Sequence, residues 1–375
     1  MVKKFFFFSI TFVIILLLSE IIFTSFFYLK SDFSGPILRL FLKENKTTED
    51  MIMENVKIDT KTNKMVPGKY LIKGLEYSIN SKGFRGDEFS NENKNNCRVI
   101  SLGGSITLGV EKSYPEILGD TLKKKNKNCE SLNFGMGSKG LNYIEDLFLN
   151  EVIGYEPNII TIMANRNSTM YDSYGSGSKS PGIITSKSDY LIYRANKFLY
   201  SNLMTFRFLD LSTKRMIFIM AKDSSKIVNP ANESLLHSKN YFDNKYFSQL
   251  VNIAEASDKN GIKLVLIKEP YYLDLELQNK LKLLDKENLI KKLVNYQNED
   301  YNNKNILFWA YTNAILNAVL DEVSEKYNNV AVVDPTALLY SANKEKNFLD
   351  DGNHLTNEGH RIVAEEVFEE IKKYF

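Results

Sequence analysis

Cysteine and histidine are scarce in this chain, two and three among 375. No C-x-x-C pair and no H-E-x-x-H occurs, which argues against a zinc or iron-sulfur site, and no cofactor is expected. A charge of one sign is missing as well. Lys and Arg number 48 against 46 Asp and Glu, a net charge of +2, so no basic field points to nucleic acid. What is present is ordinary for a globular protein: 43% hydrophobic and 25% charged residues. A chain of this length buries one large core or two modest ones.

The N-terminus stands apart. A four-residue tail ending in Lys3-Lys4 precedes an apolar run from Phe5 to Leu29, broken only by Glu20. As a helix that run spans about 37 Å, enough to cross a bilayer core of roughly 30 Å with tilt. A cleavable signal peptide is the rival, but Glu-Ile-Ile-Phe-Thr-Ser-Phe-Phe after Ser19 is a poor cleavage site. Glu20 lies past the midpoint, where its cost falls below the roughly 2.5–3.5 kcal/mol of a central charge. The run is therefore expected to be an uncleaved signal anchor. Lys30, Arg39, Lys43 and Lys46 oppose export by simple count. The short leader before a long apolar run favours an exported C-terminal domain.

Residues 30–95 show no strong periodicity and read as a membrane-proximal segment. Within them, Asn80-Ser81-Lys82-Gly83-Phe84-Arg85-Gly86 has turn chemistry. An α/β pattern then begins. Strands are expected at 98–102, 130–134, 158–163, 262–267 and 330–333. Helices are expected at 114–123, 143–152, 247–256, 315–327 and 362–374. Val363, Val367, Ile371 and Tyr374 form one stripe of the last helix, and Thr356 or Asn357 is its N-cap. Such alternation predicts a five-stranded parallel sheet with helices on both faces, and sites at the carboxyl ends of its strands.

Two insertions interrupt the alternation. Residues 271–308 read as a helix plus polar loop. Residues 168–246 carry a Gly/Ser-rich stretch, then an aromatic one in which Lys187, Arg194, Lys197, Arg207, Lys214, Arg215 and Lys222 outnumber Asp189 and Asp210. Helices packed on the core are the plainest reading of that insertion. A lid, or a helix resting on anionic lipid, are the functional ones.

Four short blocks carry the chemistry. Gly103-Gly104-Ser105 follows the first strand, where glycines allow a tight turn and close approach of a substrate carbonyl. Phosphate binding is the rival, but no Gly-Lys-Ser/Thr is present. Asn133 to Ser138 follows the second strand. Asn165-Arg166-Asn167-Ser168 follows the third, and a side-chain amide from Asn167 or Asn165 can donate to an oxyanion there. Asp351-Gly352-Asn353-His354 precedes the last helix. A serine hydroxyl needs a base such as His354, and a carboxylate orients that base. Asp350 is the rival carboxylate. His237 and His360 read as structural.

In this order the blocks resemble the SGNH, or GDSL-type, hydrolase family of flavodoxin-like serine esterases. The resemblance covers roughly residues 78–168 and 262–375. It implies a three-layer sandwich at 96–375, with Ser105 as nucleophile, His354 as base and Asp351 orienting it. The backbone N–H groups of Ser105 and Ser138 and the Asn167 side chain would form the oxyanion hole. Gly104 stands where the family has Asp, and Ser138 where it has Gly. The third block matches the family pattern G-x-N-D only at its Asn. The run from Asp351 to His360 is similar to the family's D-x-x-H-L-x-x-x-G-H ending. Asn80–Gly86 resembles a segment upstream of the serine in bacterial membrane-anchored members.

Cys97 and Cys129 each precede a strand, and those two strands are neighbours in this fold. They are expected either to form a disulfide outside the cytoplasm or to remain as two buried thiols. The resemblance implies a membrane-anchored, extracytoplasmic serine esterase without metal. Its first candidate substrate is O-acetylated cell-envelope carbohydrate, by hydrolysis or transfer. A lipid ester is the second, and a catalytically silent glycan-binding module is the reading from another class.

Overall fold

Parallel strands covered on both faces read as unbroken apolar runs, and the five expected here are strands in the computed structural model. The structure describes residues 56–59, 62, 64–72, 75–93, 97–125, 127–137, 139–163, 168, 240–296, 299, 304–341, 344–349 and 352–375. All fall within one compact unit, Thr48–Ser178 with Asn229–Phe375.

Two antiparallel hairpins come first, β1 (Ile58–Asp59) with β2 (Lys64–Met65) and β3 (Gly68–Ile72) with β4 (Leu75–Ile79). The alternating part follows as β5 (Arg98–Gly103), α1 (Ser105–Leu108), α2 (Tyr114–Lys124), β6 (Glu130–Gly135), α3 (Leu141–Asn150) and β7 (Ile159–Met163). After the insertion come α4 (Phe247–Lys259), β8 (Lys263–Ile267), α5 (Leu275–Lys282), α6 (Lys286–Asn295) and α7 (Lys304–Lys326). The chain closes with β9 (Val330–Val333), α8 (Thr336–Tyr340), α9 (Lys344–Asn347) and α10 (Asn357–Ile371).

Strands β5 to β9 form a parallel sheet in the order β6-β5-β7-β8-β9. This is the flavodoxin-type order, with its switch point at β5 and β7. Gly103 pairs with both Gly135 and Met163, so three strands finish level at one edge.

Alternating side chains supply two cores. Ile100, Leu102, Ile160, Ile162, Leu264 and Leu266 face a cluster with Phe148 of α3, Leu250 of α4 and Tyr311 of α7. Val99, Ile159, Val265 and Ile267 face Tyr114 and Leu118 of α2 and Val363 and Val367 of α10. The result is the three-layer arrangement expected.

Cys97 and Cys129 are joined, with Cα atoms 4.6 Å apart, at the amino ends of β5 and β6. Thr356 caps α10, accepting from the Gly359 N–H at 3.2 Å.

Three expectations need correction. Residues 30–95 do contain strands, β1 to β4. Two are only two residues long, too short to show alternation. Val56, Met65, Tyr77 and Ile79 from this region pack with Leu108, Val110 and Met136 of the sheet edge. Helix α7 begins at Lys304, inside the expected polar loop. Burial of Leu307, Ala310 and Tyr311 outweighs the weak helix propensity of the Asn-rich segment before it. Tyr374 leaves the buried stripe, because α10 ends at Ile371 and a 3₁₀ turn turns it outward.

Residues 5–29 lie outside the described residues. Among those described, no helix is long and apolar enough to cross a membrane. The 168–246 insertion is described only at Ser168 and from Asn240, where a π-helical turn, Asn240–Tyr246, runs into α4.

Candidate active site

Ser105 opens α1 one residue after β5, at the level edge of the sheet. Gly104 is its N-cap and contributes no side-chain hydrogen bond. The hydroxyl is half-buried, and its Oγ lies 2.8 Å from Nε2 of His354, 249 positions away in the chain. His354 is 6% exposed. A hydrogen bond of that length is what a histidine needs to take the proton from an attacking serine.

His354 is held by a tight loop between α9 and α10. Phe348 and Leu355 bridge its two ends, and the Leu349 N–H donates to the His354 carbonyl at 2.8 Å. Gly352 sits at φ 69°, a conformation glycine adopts without strain, and its carbonyl accepts from the Tyr272 N–H at 2.7 Å. Gly352 is thus tied to the segment after β8, two residues before His354.

A polar cluster seats α1 from behind. Asn133 donates through Nδ2 to the carbonyls of Thr107 and Leu108, at 3.0 and 3.2 Å, and to Ser113 Oγ at 2.9 Å. Its Oδ1 accepts from the Gly135 N–H at 2.8 Å. Gly135 allows the close approach: a Cβ there would lie 2.2 Å from the Leu108 nitrogen. Arg85 donates to the carbonyls of Leu108 and Gly109, at 2.7 and 2.8 Å, and also to that of Glu111.

Ser168 joins the third block to the second. Its Oγ accepts from the N–H of Leu141, the first residue of α3, at 2.9 Å. The loop before α3 is therefore tied at its end to Ser168, five residues after β7. Lys139 lies on that loop, with Nζ 5.0 Å from the Tyr143 ring. Burial pulls its ammonium below the usual lysine range.

His360 is 2% exposed in the first turn of α10. Burial, then the charge of Arg85 and the proximity of His354, push its pKa down to about 3, so it is neutral.

Of the expected site residues, the structure brings Ser105 and His354 together. Asp351, its rival Asp350, Ser138, Asn167 and Asn165 lie outside the described residues, as does His237. The reading of the sequence missed Arg85 and the use made of Asn133. Both stood inside quoted motifs, and the flanking glycines of Gly83-Phe84-Arg85-Gly86 were the only hint. Among the described residues, no group of His, Cys, Asp and Glu is arranged to hold a metal.

No protein-family model matches the chain, and a search of curated proteins finds no match. Among solved structures it is similar to a GDSL-like lipase from Bacteroides thetaiotaomicron, at 14% identity over 76% of this chain and 93% of that one, TM-score 0.37. It is also similar to a variant of an acetyl xylan esterase from Geobacillus stearothermophilus, at 12% identity over 73% and 94%, TM-score 0.39. A third likeness is to an alpha/beta hydrolase enzyme from the metagenome of Lake Arreo, Spain, at 11% identity over 73% and 94%, TM-score 0.39. With TM-scores below 0.5, these structures say what the chain is similar to and nothing of what it does.

Proposed function

We propose that the chain is a serine ester hydrolase of the SGNH type. The observation that carries this is the 2.8 Å approach of Ser105 Oγ to His354 Nε2 at the carboxyl edge of a parallel sheet. In this reading His354 takes the Ser105 proton as Oγ attacks an ester carbonyl, then returns it to the leaving alcohol. Asp351 orients the imidazole. The N–H groups of Ser105 and Ser138 and the Asn167 amide hold the tetrahedral oxyanion. Water then releases the acyl group by the same route.

The substrate we favour is O-acetylated carbohydrate of the cell envelope. This choice rests on the resemblance of the four sequence blocks to SGNH-type esterases. An extracytoplasmic setting is supported by the Cys97–Cys129 disulfide, a bond that persists in oxidising compartments. It is also supported by residues 5–29 read as an anchor, which would hold the domain at the membrane surface.

A fluorophosphonate probe on the full chain, with Ser105→Ala as control, tests the reading. Labelling that depends on Ser105 is expected, and its absence would leave a binding module. p-Nitrophenyl esters from acetyl to long acyl then separate the substrate classes. Preference for acetyl is expected, and preference for long chains would favour the lipid-esterase alternative.

A further inference from the structure

The Asn80–Gly86 segment has no part in the chemistry above, yet it delivers the best-connected buried side chain near the serine. Arg85 is 7% exposed. It bridges Ile79 of β4 on one side and Asn133 of β6 on the other, so the turn is stitched to the sheet edge. Two Asn80 bonds preset the turn, with Oδ1 accepting from the N–H groups of Lys82 and Phe84, each at 3.1 Å.

From that position the Arg85 guanidinium donates to the carbonyl end of the helix that carries Ser105 and to the turn after it. It reaches the Leu108, Gly109 and Glu111 oxygens. Its Nη2 also lies 3.1 Å from Glu116 Oε2, and its plane lies 4.2 Å from the centre of the Tyr77 ring. The Tyr77 hydroxyl, kept protonated by burial, donates to the Gly109 carbonyl at 3.2 Å. Glu116 accepts from the N–H and hydroxyl of Ser113, each at 2.7 Å, and Ser113 accepts from Asn133, which closes the network.

Such a clamp matters because α1 is four residues long. Its backbone bonds include Leu108 N–H to Gly104 and Gly109 N–H to Ser105, at 3.0 and 2.9 Å. One helical turn does not hold itself together in water. Its direction is set by what satisfies its last carbonyls, and a cation there also suits the helix dipole. A guanidinium is the one side chain with enough fixed donors to hold three carbonyls and a carboxylate at once.

We propose that Arg85 is a positioning residue for the nucleophile: it fixes the carbonyl end of α1 and thereby holds Ser105 Oγ in reach of His354. This rests on the esterase reading. The expectation is a change in rate at Ser105 beyond any change in folding. Arg98 supplies the control. It is buried more deeply still, at 0% exposure, and paired with Glu130 at 2.7 Å, but it stands at the opposite, amino end of β5.

The experiment uses the full chain with Arg85→Gln, Arg85→Lys and Arg98→Gln. Three things are measured: fluorophosphonate labelling per folded molecule, p-nitrophenyl acetate kinetics, and amide exchange at Leu108 and Gly109. Arg85→Gln is expected to slow labelling by about tenfold to a hundredfold. Its kcat should fall while KM holds, and exchange at Leu108 and Gly109 should quicken. Arg85→Lys should recover part of the rate, and Arg98→Gln should lower thermal stability while labelling stays within about twofold. If Arg85→Gln does not fold, Arg85→Lys and Glu116→Gln carry the same comparison. Labelling by the Arg85 variants at the parent rate, or equal slowing by Arg98→Gln, overturns the proposal. A parent that never labels at Ser105 sinks the esterase reading instead. Exchange then decides the clamp, and unchanged protection at Leu108 and Gly109 overturns it.

Discussion

The Leu141 N–H donates to Ser168 Oγ at 2.9 Å, with Ser168 fully buried. Helix α3 has Gly140 as its N-cap and no side-chain cap of its own, so a residue from the far side of β7 does that work. Ser168→Ala leaves a buried N–H unsatisfied and is expected to cost about 1–3 kcal/mol of stability. It should also slow labelling of Ser105 if Ser138, three residues before Leu141, donates to the oxyanion as proposed. Urea melts and labelling rates measure both effects. An alanine variant as stable and as fast as the parent would remove Ser168 from the account.

Close packing of α1 on β6 gives a second expectation. Alanine at position 135 would drive its Cβ into the Leu108 backbone, and backbone cannot swing aside as a flexible side chain does. Gly135→Ala is expected to destabilise by about 1–3 kcal/mol, as overpacked cores do. The displaced helix should also lose labelling. A variant that melts early but labels at the parent rate would show that α1 moves without taking Ser105 with it.

The Cys97–Cys129 bridge closes a loop of sequence separation 32 at the amino ends of β5 and β6. Six residues of strand put Ser105 about 20 Å away, at the other end of the sheet. Replacing both cysteines by serine is expected to cost about 3–4 kcal/mol on the chain-entropy account. The folded fraction should keep the parent labelling rate. Melts with and without reductant measure the first part. A reductant-insensitive parent would show that the bridge contributes nothing to stability.

The three inner strands of the sheet, β5, β7 and β8, were legible because they are buried on both faces. Ile100, Leu102, Ile160, Leu264 and Leu266 all sit at 0% exposure, and the sequence around each is a short apolar run. Ser105 and His354 were legible because each stands in a short motif, one just after a strand and one just before the last helix. The first hairpin was not, since β1 and β2 are too short for a period to appear. Arg85 was not, because its value lies in backbone carbonyls brought to it by β6 and α1. A side chain that serves distant main chain leaves no pattern in its own neighbourhood.

His360 ties stability to acidity. Its ring is buried and neutral, with Arg85 and His354 nearby, and its folded pKa is pushed down to about 3. In the unfolded chain a histidine titrates near 6.5. Between those values the unfolded chain binds a proton that the folded one refuses, so stability falls as pH falls. Above about pH 6.5 the effect is fully absent, and below it one such group removes about 1.4 kcal/mol per pH unit. His360→Leu has no proton to bind and should lose less stability between pH 7 and pH 5 than the parent does. Urea melts at those two values read the difference while most carboxylates remain ionised. Parallel losses in parent and variant would mean that some other group governs the acid response.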